Sequence, residues 1–261
     1  MIGFLLRKTL YDLWDNMFRV VLLNIGFFIC SAIPIFLPRI MRSLTNSEPL
    51  EMAASVAGIF LCSIYLAAAS LTVKTLSDYG TFTISDFFGN FKAAWPAGLL
   101  MGSFFFLLFL IISYVIPFYF AMDPFVVGLM LAAIVFWTSV FAILSFQFYF
   151  AVIGRLGPNL IKAFKKCMLI SLDNTGLALF LIINNIFALA ISVVFALMFP
   201  GPVGVLLYID QALRLRLLKY DYLEANPEAD RRKIPWDALL IEEREKTGTR
   251  TFKNFIFPWK D

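Results

Sequence analysis

The sequence predicts an all-α polytopic membrane protein, with six transmembrane helices arranged as three hairpins and an amphipathic interfacial helix before each hairpin. Three observations lead there. Of the 261 residues, 61% are hydrophobic and 15% charged, with a mean hydropathy of +0.82, whereas about a quarter of a soluble sequence is charged. Five long apolar runs contain no Asp, Glu, Lys or Arg. The loops between those runs divide the positive charge very unequally.

Near residues 4–18, Leu6, Leu10, Leu13, Trp14 and Met17 follow one helix face, while Arg7, Lys8, Asp12, Asp15 and Arg19 take the other. This is the pattern of a helix lying in the membrane interface. Its apolar start precedes the basic pair Arg7 and Lys8 instead of following it, so the segment is expected to be retained and not cleaved as a signal peptide. Apolar runs near the ~20 residues needed to cross the hydrocarbon then extend from Val20 to Leu37 and from Met52 to Val73. A second interfacial helix is expected near 83–92, with Ile84, Phe87, Phe88 and Phe91 on one face and Thr83 and Asp86 as a capping pair. The runs Ala94 to Ala121 and Pro124 to Ile153 follow. A third interfacial helix near 159–172 sets Leu160, Phe164, Cys167 and Met168 against Lys162, Lys165 and Lys166, ahead of the run Gly176 to Phe199.

A sixth segment, Pro202 to about Leu218, carries Asp210, Arg214 and Arg216. Loop charges favour a crossing here over a segment lying in the interface. Lys and Arg number three in segment 1–19, two in 74–93 and four in 154–175, against two in 38–51 and none at the Met122–Asp123 turn. The positive-inside rule therefore places the amino terminus in the cytoplasm. An even number of crossings keeps the eleven basic residues after Leu213 on the same side. Residues 1–218 are thus expected as the transmembrane domain and 219–261 as a cytoplasmic tail. The three interfacial segments begin at 6, 84 and 160, an interval that fits either an internal repeat or the length that two crossings and two loops require.

The chain has no histidine, which removes the usual neutral-pH base and the commonest metal ligand. Cys30, Cys62 and Cys167 are scattered and read as reduced packing residues. Nucleotide loops, metal clusters and nucleophile elbows are absent from the sequence, so no cofactor, catalysis or nucleic-acid binding is expected. Polar residues in the apolar runs, Asn24, Gln147, Asn184 and Asn185, either hydrogen-bond between helices or line a polar path. Asp210 has Arg214 one turn later as its expected partner. In the tail, Pro235 and Gly248 bracket a short helix, and Phe255, Phe257 and Trp259 interleave with lysines. With Lys162, Lys165 and Lys166, these aromatics are the candidate contacts to membrane or partner.

The run Val21-Leu22-Leu23-Asn24-Ile25-Gly26-Phe27-Phe28-Ile29-Cys30-Ser31-Ala32-Ile33-Pro34, entered from an amphipathic segment, resembles the YesL-like family of uncharacterised bacterial integral membrane proteins. Asp86-Phe87-Phe88-Gly89-Asn90-Phe91-Lys92-Ala93-Ala94-Trp95 looks like the same family's segment before its third span. The resemblance covers about the first 120 residues. It implies an accessory role in carbohydrate uptake by ABC transporters in the bacterial cytoplasmic membrane and supplies no catalytic residues. The expected function is a non-catalytic accessory or scaffold subunit, with lipid and other transport subunits as partners. The alternative is a small facilitator or channel.

Overall fold

The computed structural model describes residues 1–231 and 233–248, and every element among them is helical. Helix α1 (Ile2–Asp15) meets α2 (Met17–Thr45) at Asn16, whose side chain donates to the Asp12 carbonyl at 3.0 Å. That bond ties up the last turn of α1, and the chain changes direction there. After a left-handed turn at Asn46, α3 (Glu48–Ser77) runs back. Next comes α4 (Ile84–Leu110), which continues through a π-helical turn (Ile111–Val115) into α5 (Ile116–Phe120). The return limb is α6 (Phe125–Phe146), interrupted at Gln147 and Phe148, and α7 (Tyr149–Leu156). Helix α8 (Leu160–Asp173) meets α9 (Thr175–Val194) at Asn174, whose side chain donates to the Ile170 carbonyl at 3.1 Å. The final long helix, α10 (Gly201–Ala225), is followed by α11 (Trp236–Leu239) and α12 (Ile241–Thr247).

Five helical stretches are long and apolar enough to cross a membrane: α2, α3, Ile84–Phe120, Phe125–Leu156 and α9. Large apolar side chains such as Phe118, Val126, Trp137, Ile183 and Val194 are more than half exposed. Surface of that kind needs a lipid cover, as a multi-pass membrane protein provides. Helix α3 is the centre. Its apolar window is 56% buried, against 11% for each of Ile84–Phe120 and Phe125–Leu156, because α2, α4, α7 and α10 all pack on it. Small residues let the backbones touch: a methyl group on Gly58 would sit 2.2 Å from Pro34 Cβ, and one on Gly98 would sit 2.4 Å from Ile64 Cα.

Several expectations need correction. The segment 83–92 is not a separate interfacial helix but the first turns of α4. The Thr83–Asp86 capping box starts that helix as expected, and Asn90 does not end it, because its amide reaches Thr72 Oγ1 at 3.0 Å instead of its own backbone. Helix α1 packs a mixed face on the protein: Lys8 and Thr9 are buried together with Leu5 and Leu13, while Leu10 is exposed. Helix α10, expected as the sixth crossing, is not among the helices apolar enough to cross, and it runs on past Leu218 to Ala225. The tail helix begins at Pro235 and stops at Gly248 as the sequence suggests, but it breaks at Leu240, whose side chain is fully buried. The three cysteines form no disulfide.

Candidate functional site

The buried charge collects at one end of the bundle, where α1, the ends of α3 and α7, the middle of α10, and α12 meet. Asp210 is 1% exposed. Arg155, at the end of α7, holds it with two bonds, Nε to Oδ1 at 2.9 Å and a second to Oδ2. The same guanidinium donates to Ser77 Oγ at 2.9 Å and to Asp78 at 3.1 Å. The expected Asp210–Arg214 pair is therefore not formed. One turn along α10, Arg214 points to the Ser77 carbonyl and to Glu243 Oε1, the latter at 2.7 Å. A bidentate guanidinium from another helix satisfies the carboxylate, while the same-helix Arg214 is taken up by Ser77 and Glu243.

Tyr79 completes this side. It occupies the left-handed region, φ 62°, at the end of α3, the place glycine usually fills. Its hydroxyl bonds Glu243 Oε2 at 2.8 Å, and its ring lies 4.0 Å under Lys8 Nζ. Lys8 in turn bonds Asp12 at 2.6 Å and the Ser77 carbonyl at 3.1 Å. Thr9 and Asp12 both bond Gln211 of α10. Burial pushes the Lys8 ammonium below its usual range and the Asp12 carboxyl above its own, each in spite of the other's charge. A second, smaller joint links Lys219 and Tyr220 of α10 to Asp173 at 3.0 Å each. Burial opposes ionisation of Asp173, but those two bonds hold its carboxyl below the usual range.

Asn24 has a different task. Its amide donates to the Met198 and Pro200 carbonyls at 2.9 Å each, and its Oδ1 accepts from Val203 N at 3.0 Å. Ser192 Oγ accepts from Gly201 N at 2.9 Å. The first N–H groups of a helix have no intrahelical partner, so α10 is capped by side chains of α2 and α9. Gly201 has φ 62°, and a methyl group there would lie 2.4 Å from the Asn24 amide. Asn24 is thus not a free group facing a channel.

Gln147 sits at the α6–α7 break and donates to the Leu144 carbonyl at 2.8 Å and the Ala178 carbonyl at 3.1 Å. Asn184 is half-buried and Asn185 buried on α9. Among the described residues, no hydrogen bond joins Asn24, Gln147, Asn184 and Asn185 to one another. Lys162 and Lys165 are exposed, whereas Lys166 donates to the Leu156 carbonyl. Phe255, Phe257 and Trp259 lie outside the described residues. An open cavity of about 580 Å³ between α8 and the end of α10 is lined by Lys166, Asp173, Glu224 and Arg231 among leucines. The sequence reading missed Arg155, Tyr79, Gln211 and Glu243. Only Arg155 carried a signal, as a lone cation at the end of an apolar run.

In chemical terms the cluster is a set of joints, since the carboxylates of Asp12, Asp210 and Glu243 all face a cation or a neutral donor. Glu243→Ala removes a carboxylate that is 8% exposed and leaves Arg214 with the Ser77 carbonyl and, at 3.7 Å, Asp78. A loss of about 1–3 kcal/mol is expected. Limited trypsin digestion should then cut after Arg244 and Lys246 faster than in the unsubstituted protein, while an unchanged rate would show that Glu243 does not anchor α12. Compared with known proteins, the chain matches no family model, no curated protein and no solved structure.

Proposed function

We propose that the protein is a non-catalytic accessory or scaffold subunit of the bacterial cytoplasmic membrane, associated with ABC-type carbohydrate transport, with both termini in the cytoplasm. The observation that supports this most is where the buried charge goes. Lys8, Asp12, Arg155, Asp210, Arg214 and Glu243 engage groups on other segments or on one another, and so fix the shape of one face of the molecule. Lys162 and Lys165 of α8 are exposed. The resemblance of the first 120 residues to the YesL-like family is what points to sugar uptake. No cofactor and no nucleic acid enter the proposal.

A second reading, a small facilitator, draws on Gln147 Oε1, Asn184 Nδ2, Asn185 Oδ1 and Ser145 Oγ, which are buried without a protein partner. Purification from native membranes in mild detergent separates the two. The accessory reading expects transporter membrane subunits at fixed stoichiometry, lost on Lys162→Glu with Lys165→Glu or on deletion of residues 249–261. A clean monomer under several mild conditions would overturn it. Loss of solute flux on Asn184→Leu with the tail deletion silent would favour the facilitator.

A further inference from the structure

The ends of α9 can be placed against two helices that cross the membrane. At its first turn, the Ala178 carbonyl accepts from Gln147. At its last turn, Ser192 bonds Gly201 N, and the Met198 and Pro200 carbonyls just beyond bond Asn24. At 1.5 Å per residue, Asn24 lies about 10 Å from the Met17 end of α2, and Gln147 lies about 13 Å from the Leu156 end of its span. Both of those ends are on the side that carries the basic segments 1–19 and 154–175. From the same two residues, the opposite ends, Thr45 and Phe125, are each about 30 Å away.

The two ends of α9 are therefore at nearly the same depth, although Ala178 and Ser192 are about 21 Å apart along the helix. A crossing helix would place its second end next to the Thr45 or Phe125 turns. We propose that α9 does not cross the bilayer but lies along its cytoplasmic interface, so that the chain crosses four times and the α9–α10 loop stays on the side of both termini. The occupant of its outer face is the acyl region of the cytoplasmic leaflet.

The side chains fit that occupant. Leu177, Ala178, Leu181, Asn185, Ala188 and Ser192 are buried. Ile183, Ile186, Phe187, Val193 and Val194 on the other side are each more than 60% exposed. A helix apolar on its outer face and held to protein on its inner face seats in the headgroup and acyl boundary. On the preceding α8, exposed Ile161, Leu169 and Leu172 extend the apolar surface, and exposed Lys162 and Lys165 are placed to meet anionic headgroups. The arrangement also accounts for α10: its polar middle pairs with the span ends at Ser77 and Arg155, so it need not carry Asp210 and Arg214 through hydrocarbon. Four is an even number, so the positive-inside balance that favoured six crossings is kept.

The test is the side of the α9–α10 loop. Met198→Cys, and separately Phe195→Cys, are placed in full-length protein with Cys30, Cys62 and Cys167 changed to alanine, and each variant is checked for a monodisperse peak in detergent. Sealed vesicles of both orientations are exposed to a membrane-impermeant maleimide, with Ser47→Cys and Glu228→Cys as markers of the two sides. Labelling together with Glu228→Cys, from the cytoplasmic side alone, is expected. Labelling together with Ser47→Cys overturns the proposal. Failure to label from either side while both markers react also overturns it, because the loop is placed at the water boundary.

Discussion

Asp210→Ala is expected to be among the most damaging single substitutions in the chain, lowering stability by about 3–5 kcal/mol. The side chains of Asp210 and Arg155 are 1% and 9% exposed. Removing the carboxylate leaves the guanidinium desolvated, with only Ser77 Oγ and the partly exposed Asp78 as partners. The double variant Asp210→Leu with Arg155→Leu removes both charges and should recover most of the loss, since apolar pairs replace buried ion pairs at little cost. Thermal unfolding in mild detergent would show the single variant lowered by on the order of 10 °C and the double variant close to the parent. A double variant as unstable as the single would mean that Arg155 and Asp210 are held by something other than each other. Arg214→Ala adds a control on the same helix. It should disturb α12 through Glu243 and leave the Arg155–Asp210 pair in place.

Asn24→Leu should cost about 3 kcal/mol, because two buried backbone groups and the part-buried Met198 carbonyl lose their partner together. Leucine fits an apolar helix as well as asparagine does, so the loss isolates the capping role. Gln147→Leu offers the contrast. Its amide serves two carbonyls, of Leu144 and Ala178, and its Oε1 is already unpartnered, so a loss of about 1 kcal/mol is expected. Equal effects of the two substitutions on unfolding would refute the cap. So would an Asn24→Leu protein that keeps its unfolding midpoint while losing a transport activity.

The apolar runs, the Thr83–Asp86 cap and the Pro235 and Gly248 stops were legible because each is a local pattern. Asn24 stood out as a polar residue in an apolar run, but its use did not, since its partners are 174 to 179 positions away. Asp210 was assigned to Arg214 by helical spacing, the only geometry a sequence offers. The choice between Arg155 and Arg214 depended on how α7 and α10 meet. Lys8 and Asp12 looked like a solvated face because amphipathic patterning cannot say whether water or a polar protein surface lies opposite. One local signal was present and went unread: Asp15-Asn16 and Asp173-Asn174 each close a helix of 14 residues, and both asparagines turn back onto the carbonyl four positions earlier. The middle unit lacks that pair before its span, and there the helix runs straight through.

The cap on α10 also bears on how the chain is made. Asn24, Thr9 and Asp12 are synthesised 174 to 202 residues ahead of the groups they bond between Met198 and Gln211. Until residues 198–203 emerge, Asn24 in the first span lacks the backbone groups it bonds in the folded protein. Arrival of α10 closes α1 and α2 onto it. A chain that stops before residue 201 leaves Asn24 without Val203 N and the α10 cap unmade, so burial of this early polar group waits for α10.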